Sequence, residues 1–147
     1  MARKDPYNSY NFRVEIGGIV RAGFRECSGL DTSQDPIDYR EGTDVGNVAA
    51  RNTARKLPGM TKFSNITLKW GMSDDKDLWE WRKKVTEGKV QRVSGSIILL
   101  DDVGEEKARW NFFEGWPSKW TGPSFNATGN EIAIETLEIV HEGLTRA

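Results

Sequence analysis

The chain has 147 residues, 29% of them charged, with a formal net charge of −1, one cysteine and one histidine. That length suits a single domain over residues 1–147, burying roughly two-thirds of the surface its unfolded chain exposes. Near-neutral charge argues against a dedicated DNA-binding protein, whose phosphate affinity needs excess Lys and Arg, and a lone Cys27 and His141 exclude an internal disulfide and a Cys/His metal cluster.

In chain order, Phe12, Val14 and Ile16 alternate with Arg13 and Glu15. After Gly17-Gly18, Val20, Ala22 and Phe24 alternate with Arg21 and Arg25. This predicts a β-hairpin, because two glycines supply the positive φ of a tight turn. Ser28-Gly29 and the polar run to Pro36 read as a loop, and Ile37 to Arg40 as a short strand. From Gly42 to Gly59 no apolar period appears, so the region of about 42–62 reads as a long functional loop or an extended hairpin arm. Its Arg51, Arg55, Lys56 and Lys62 raise the question of nucleic acid, but in a mixed-charge segment of a near-neutral chain a solvated face or a protein contact is the more ordinary reading.

Ile66, Leu68 and Trp70 alternate as a further strand, and the period then changes. Ser73 or Asp74 can cap a helix over about residues 74–87, with Asp74, Asp75 and Asp77 at its positive end. Leu78, Trp81 and Val85 share one face, Arg82, Lys83 and Lys84 suit the negative end, and Gly88 can stop the helix. Trp79 falls beside the apolar stripe, where it widens that stripe or is covered by a partner.

Ser96 to Leu100 is apolar enough for a strand buried on both faces, and Asp101-Asp102-Val103-Gly104 turns it back into the stretch Ala108 to Pro123. That stretch holds three of the six tryptophans and two of the six phenylalanines. Its first half alternates as a strand. Pro117 and Pro123 lack the donor a central strand needs, so a corner is expected after Gly115. Its aromatics are either a stacking platform for bases or sugars or, more ordinarily, core. Asn126 to Asn130 reads as a turn, and a long last strand follows from Glu131. Ile132 and Ile134 hold one parity there and Leu137 and Ile139 the other, which predicts a β-bulge or bend near Glu135-Thr136.

Catalytic chemistry finds no support. Gly17-Gly18 sits in a hairpin rather than between a strand and a helix. Asp74-Asp75 and Asp101-Asp102 have structural roles as helix-start and turn residues, and no Ser or Cys can be assigned to His141 from spacing. No metal and no cofactor is expected. The N-terminus shows no signal segment and no window approaches 18 apolar residues, so the chain reads as made and folded in the cytoplasm.

Several long motifs point in one direction. They are Arg55 to Lys62, Asn65 to Gly71, Leu78 to Val85, Trp116 to Pro123 and Asn126 to Ile139, supported by Arg40-Glu41-Gly42. From Tyr7 to Gly143 the chain closely resembles the tail-tube proteins of contractile phages and phage-tail-like contractile injection systems, and is nearer to the latter. The run Asp44 to Thr53 looks longer than the family's usual loop.

The resemblance implies a mainly β fold, a two-sheet β-sandwich or split barrel with one flanking helix. It implies an inner-tube subunit: homohexameric rings stacked into a rigid hollow tube inside a contractile sheath, driven through a target envelope and conducting cargo. The expected partners are copies of the chain, sheath, baseplate and cap or terminator proteins, and cargo in the lumen, without sequence-specific nucleic-acid binding. The setting is a phage tail or phage-tail-like particle, with extracellular release left open. Arg40, Glu41, Asp44, Arg51, Arg55, Lys56 and Lys62 are the inter-ring or inter-subunit candidates, and Arg13, Glu15, Thr67 and Lys69 are candidates for the lumen wall. Trp70, Trp81, Trp110, Trp116 and Trp120 are core or subunit-interface candidates. The alternative is a monomeric β-sandwich binding module whose Trp cluster holds a small ligand or glycan.

Overall fold

A computed structural model of the chain describes residues 11–21, 23–39, 55–72, 75–129 and 132–147. It forms two compact units: the chain up to Leu30 together with the chain from Ser64 onward, and Asp31–Phe63.

In the larger unit, β1 (Phe12–Ile16) and β2 (Ile19–Arg21) make the expected hairpin, turned at Gly17 with φ 59°. Its second strand is shorter than the alternation predicts. Phe24–Ser28 is a separate strand, β3, paired with β6 (Ile66–Gly71). The cause is packing: Phe24 is buried edge-on against Trp70, with ring centroids 5.7 Å apart, and this contact draws the chain away from β1.

The remaining strands are β7 (Val93–Leu100), β8 (Glu106–Thr121), β9 (Ile134–Val140) and β10 (Gly143–Arg146). They complete the order β2-β1-β7-β8-β9-β6-β3, with β10 also on β8. β8 spans 16 residues and joins the two halves of this sheet. It pairs with β7 and β10 along its first part and with β9 along its second.

The corner expected after Gly115 is therefore inside a continuous strand. Pro117 is tolerated because the register shifts between Pro117 and Lys119, a bulge at which a missing donor costs no ladder bond. A second irregularity lies at Glu114, with φ 53°, beside a register shift between Val93 and Gly95. Bulges bend a strand, and here they let one strand serve both sheet halves.

The bulge predicted near Glu135-Thr136 is absent. β9 pairs with β6 in one unbroken register from Ile66 opposite Ile139 to Gly71 opposite Ile134. The apparent change of phase arises because Ile132 precedes the strand and is 72% exposed. β10 is an additional strand that the sequence reading did not separate from the last one.

One core lies between the sheet halves. Val14, Ile16, Ile97 and Phe112 come from one half, and Phe24, Ile66, Leu68, Trp70, Leu137 and Ile139 from the other. Ile97 and Ile98 are both buried, as expected for a strand covered on two faces. The helix, α1 (Asp77–Thr86), is shorter than expected and adds Leu78 and Trp81 to the core. Ser73 and Asp74 lie outside the described residues. The Asp77 N–H donates to Asp75 Oδ1 at 3.0 Å, and Gly88 with φ 82° ends the helix as predicted.

Asp31–Phe63 takes the hairpin option. Its strands β4 (Thr32–Tyr39) and β5 (Arg55–Phe63) pair antiparallel. The strand occupies the stretch read as a loop up to Pro36, and a register shift between Gln34 and Pro36 accommodates the proline.

Candidate functional site: open sheet edges and the hairpin

The order β2-β1-β7-β8-β9-β6-β3 does not close on itself. Among the described residues β2 pairs only with β1 and β3 only with β6. An edge strand presents a row of N–H and C=O groups that another chain can pair with.

The hairpin offers a second surface. Ile37 and Leu57 are direct cross-strand partners, 53% and 46% exposed, and Tyr39 lies two residues further along the same face, opposite Arg55. Met60 is 85% exposed. A two-stranded hairpin alone is marginally stable in water. Sequence reading missed these apolar residues because they stand singly among charges; the signal that could have found them is the parity of Ile37, Tyr39 and Leu57 once the two strands are paired.

Of the inter-ring candidates, Arg55, Lys56 and Lys62 lie on β5, exposed. Arg55 faces Tyr39 and Lys56 faces Asp38 across the ladder, and Lys62 Nζ pairs with Asp35 Oδ2 at 2.6 Å. Arg40, Glu41, Asp44 and Arg51 lie outside the described residues.

The lumen-wall candidates sit on the faces turned away from the core. Arg13 and Arg109 flank Ile98 across the β1-β7-β8 ladder, and Ile98 has no exposed surface although it lies on this outer face. Long cationic side chains cover apolar surface with their stems while their heads stay in water. Glu15 holds the heads, at 3.6 Å from Arg13 and 3.4 Å from Arg109, and Glu106 also pairs with Arg109. On the other half Thr67 and Lys69 alternate with buried Leu68 and Trp70, and Lys69 pairs with Glu26 at 3.7 Å.

The aromatic candidates do not converge on one site. Trp70 and Trp81 are buried. Trp120 stands edge-on to Trp70 at 5.4 Å and to the half-exposed Trp79 at 5.2 Å, a contact that anchors α1 to β8. Trp116 pairs with Val140 in the ladder. Trp110 lines a cavity of about 380 Å³ with Phe12, Cys27, Leu30, Ile97 and Leu99. Ten residues of strand separate Trp110 from Trp120, on the order of 30 Å. A shared grip on one small ligand by the three tryptophans of this stretch has no geometry to support it.

Titratable groups have structural roles. His141 lies with Nε2 2.9 Å from Ser64 O and Nδ1 3.1 Å from Gly143 O, so each ring nitrogen faces a backbone carbonyl. Burial, then the neighbouring Glu26 charge, pushes the Cys27 thiol up to about 12. Asp101 is held below the usual carboxylate range, first by the Glu105 N–H and then by the Val103 N–H and Lys107. Among the described residues no group of three His, Cys, Asp or Glu could hold a metal ion, and no helix is long and apolar enough to cross a membrane.

Known proteins place this geometry. The family model described as T4-like virus tail tube protein gp19 matches residues 8–145. A chain in the sheath-tube complex of an extracellular contractile injection system, PVC, in its extended state is 30% identical with TM-score 0.83, covering 97% of this chain and 91% of that one. A chain in the tube terminating cap of the anti-feeding prophage is 32% identical with TM-score 0.86, covering 100% and 94%. Hcp1 from Flavobacterium johnsoniae, 15% identical with TM-score 0.57 over 93% and 94%, shares the fold. No curated sequence matches the chain significantly. The chain belongs to the T4-like virus tail tube protein gp19 family, and it is a structural subunit of the tail tubes of contractile injection systems and phages rather than an enzyme.

Proposed function

We propose that six copies of this chain join edge to edge through the open ends of the sheet into a ring, and that rings stack into a hollow tube. The observation that carries this reading is the strand order, which among the described residues does not close and gives β2 and β3 one partner strand each, in a subunit whose family builds tubes. Identical head-to-tail contacts around an axis close a ring, and strands joined around it form a large barrel with a wet lumen. Either polar outer face, with Arg13 and Glu15 or with Thr67 and Lys69, suits the wall of that lumen.

In this reading each chain is one tube domain carrying the β4–β5 hairpin. The hairpin reaches a neighbouring subunit through its apolar face and through Arg55, Lys56 and Lys62, with Arg40, Glu41, Asp44 and Arg51 in the adjoining segment. Trp110 and Trp116 are core or interface residues of the same subunit. The tube sits within a sheath, begins at a baseplate and ends at a terminator, in a phage-tail-like particle whose lumen takes cargo. Relatives found in a sheath-tube complex, a sheath/tube terminator and a baseplate support these partners. Native mass spectrometry with negative-stain microscopy of the assembly tests it. Six-subunit rings and stacked tubes are expected, and a clean monomer that binds a small ligand would favour the binding-module alternative.

A further inference from the structure

The cavity beside Trp110 runs along the edge of β3. Its walls include Arg25, Glu26 and Cys27 in succession. Successive residues of a strand point to opposite faces, so a cavity touched by three in a row borders the strand's edge rather than one of its faces. Across from them stand Phe12 of β1, Leu99 of β7 and Trp110 of β8, each half-buried. Phe12, Trp110 and Cys27 pack against the core cluster, so the cavity, about 380 Å³ in volume, is an opening into the core. Among the described residues no further strand pairs with β3 to close this side.

The other edge of the sheet carries an apolar side chain that suits this opening. Ile19 of β2 is the direct cross-strand partner of Ile16 and shares its face. Ile16 is buried, whereas Ile19 is only half-buried. Cys27 stands opposite the buried Leu68, so it too lies on the core side of its strand. A join of β2 to β3 that keeps the core sides of both strands on one side of the wall brings Ile19 of one copy over the cavity of the next. Within a subunit the two are apart. Ile19 lies at the Ile16 end of β1 and the cavity at the Phe12 end, four residues or about 13 Å along the strand.

We propose that Ile19 of one copy enters the cavity bordered by β3 of the adjacent copy in the ring, so that each subunit completes the core of its neighbour. The inference rests on the edge-to-edge ring reading and adds the side chain and the socket that make the join specific. A second copy is the occupant because the chain is a tube subunit and the cavity follows the edge at which that reading joins the copies. The contact is heterologous, one surface on each side, as closure of a ring by rotation requires. Backbone pairing along an edge is indifferent to side chains, whereas an apolar side chain seated among Phe12, Leu99 and Trp110 fixes which strand pairs and in which register. Cys27, in the wall of the socket, reports whether it is filled.

The test expresses the chain with the rest of its assembly and compares wild type, Ile19→Val, Ile19→Ala and Ile19→Asp. Rings are read by native mass spectrometry, folding by thermal unfolding, and the socket by the rate at which a small alkylating reagent reaches Cys27. Ile19→Val is expected to behave as wild type. Ile19→Asp is expected to give folded subunits with at least tenfold fewer rings. Ile19→Ala keeps the edge backbone and loses the plug, so its rings are expected to expose Cys27 to alkylation at least tenfold faster than wild-type rings; folded Ile19→Ala subunits that fail to form rings where Ile19→Val succeeds support the inference equally. Should Ile19→Asp not fold, the comparison of Ile19→Ala with Ile19→Val decides alone. Ile19→Ala rings formed in wild-type yield, with Cys27 as slow as in wild-type rings, overturn the inference, assign the cover of the cavity to another segment and leave the ring reading intact. So do Ile19→Asp rings in wild-type yield. Wild type without rings overturns the ring reading itself, and the inference with it.

Discussion

Pro117 of β8 stands opposite Ile139 of β9, inside a paired strand rather than at its end. The carbonyls around it are served from the side. Ser118 Oγ donates to Glu138 O at 3.3 Å across the bulge, and Arg82 Nη1 of α1 reaches Pro117 O at 3.4 Å. The residue type that usually ends a central strand thus marks the point where one strand passes from one sheet half to the other.

Ser118→Ala removes the side-chain donor at that passage. A net hydrogen bond of this kind is worth about 1 kcal/mol, which for a chain of this size corresponds to a fall of roughly 2–4 °C in Tm. Thermal unfolding checks it; an unchanged Tm would mean that the bulge is held by packing alone.

Gly95→Ala tests the crowding beneath Phe112. A Cβ at Gly95 would stand 2.5 Å from Glu15 O and 2.7 Å from Phe112 Cε1. Overpacking of this sort costs about 1–3 kcal/mol. Adding Phe112→Leu should recover only part of the loss, because the backbone oxygen of Glu15 cannot move aside without breaking the β1–β7 ladder. Chemical denaturation of the three variants measures this, and full recovery in the double variant would assign the strain to the ring alone.

Much of this fold is legible in the sequence because period-two alternation survives wherever one face is buried, as in Phe12 to Ile16 and Ile66 to Trp70. It failed where pairing decides. Pro36 and Pro117 read as breaks, yet both are absorbed by register shifts, which depend on the partner strand and leave no local trace. Ile132 read as strand because its parity matches Ile134, although it lies before the strand and is 72% exposed. The assembly surfaces were half legible. The charges of the hairpin were visible, but its apolar face exists only after Ile37 is set opposite Leu57.

Cys27 provides a pH-dependent readout. Its thiol, normally near 9.0, is raised to about 12, chiefly by burial. At pH 8 alkylation should be slower than that of a free thiol by on the order of a hundred- to a thousandfold, and should accelerate toward pH 12. Folding raises the pKa, so the neutral thiol contributes its full stability below pH 9 and that contribution is lost as pH rises through about 12. Fast alkylation of the folded chain at pH 8 would contradict the raised pKa of this half-buried thiol.

Ile37→Asp/Leu57→Asp alters the hairpin without touching the core of the larger unit. The Tm of that unit should stay within about 2 °C of wild type, a shift expected for surface changes below roughly 0.5 kcal/mol. Tubes should be lost or shortened. Normal tubes in negative stain would remove the hairpin's apolar face from the assembly contacts.

The most direct measurement is a cryo-EM reconstruction of the native assembly at a resolution that separates strands. It should show six-subunit rings in which the open sheet ends of neighbouring subunits, at β2 and β3, are paired around a continuous wall. A tube in which both edges face solvent, or a ring held together without strand pairing, would contradict it.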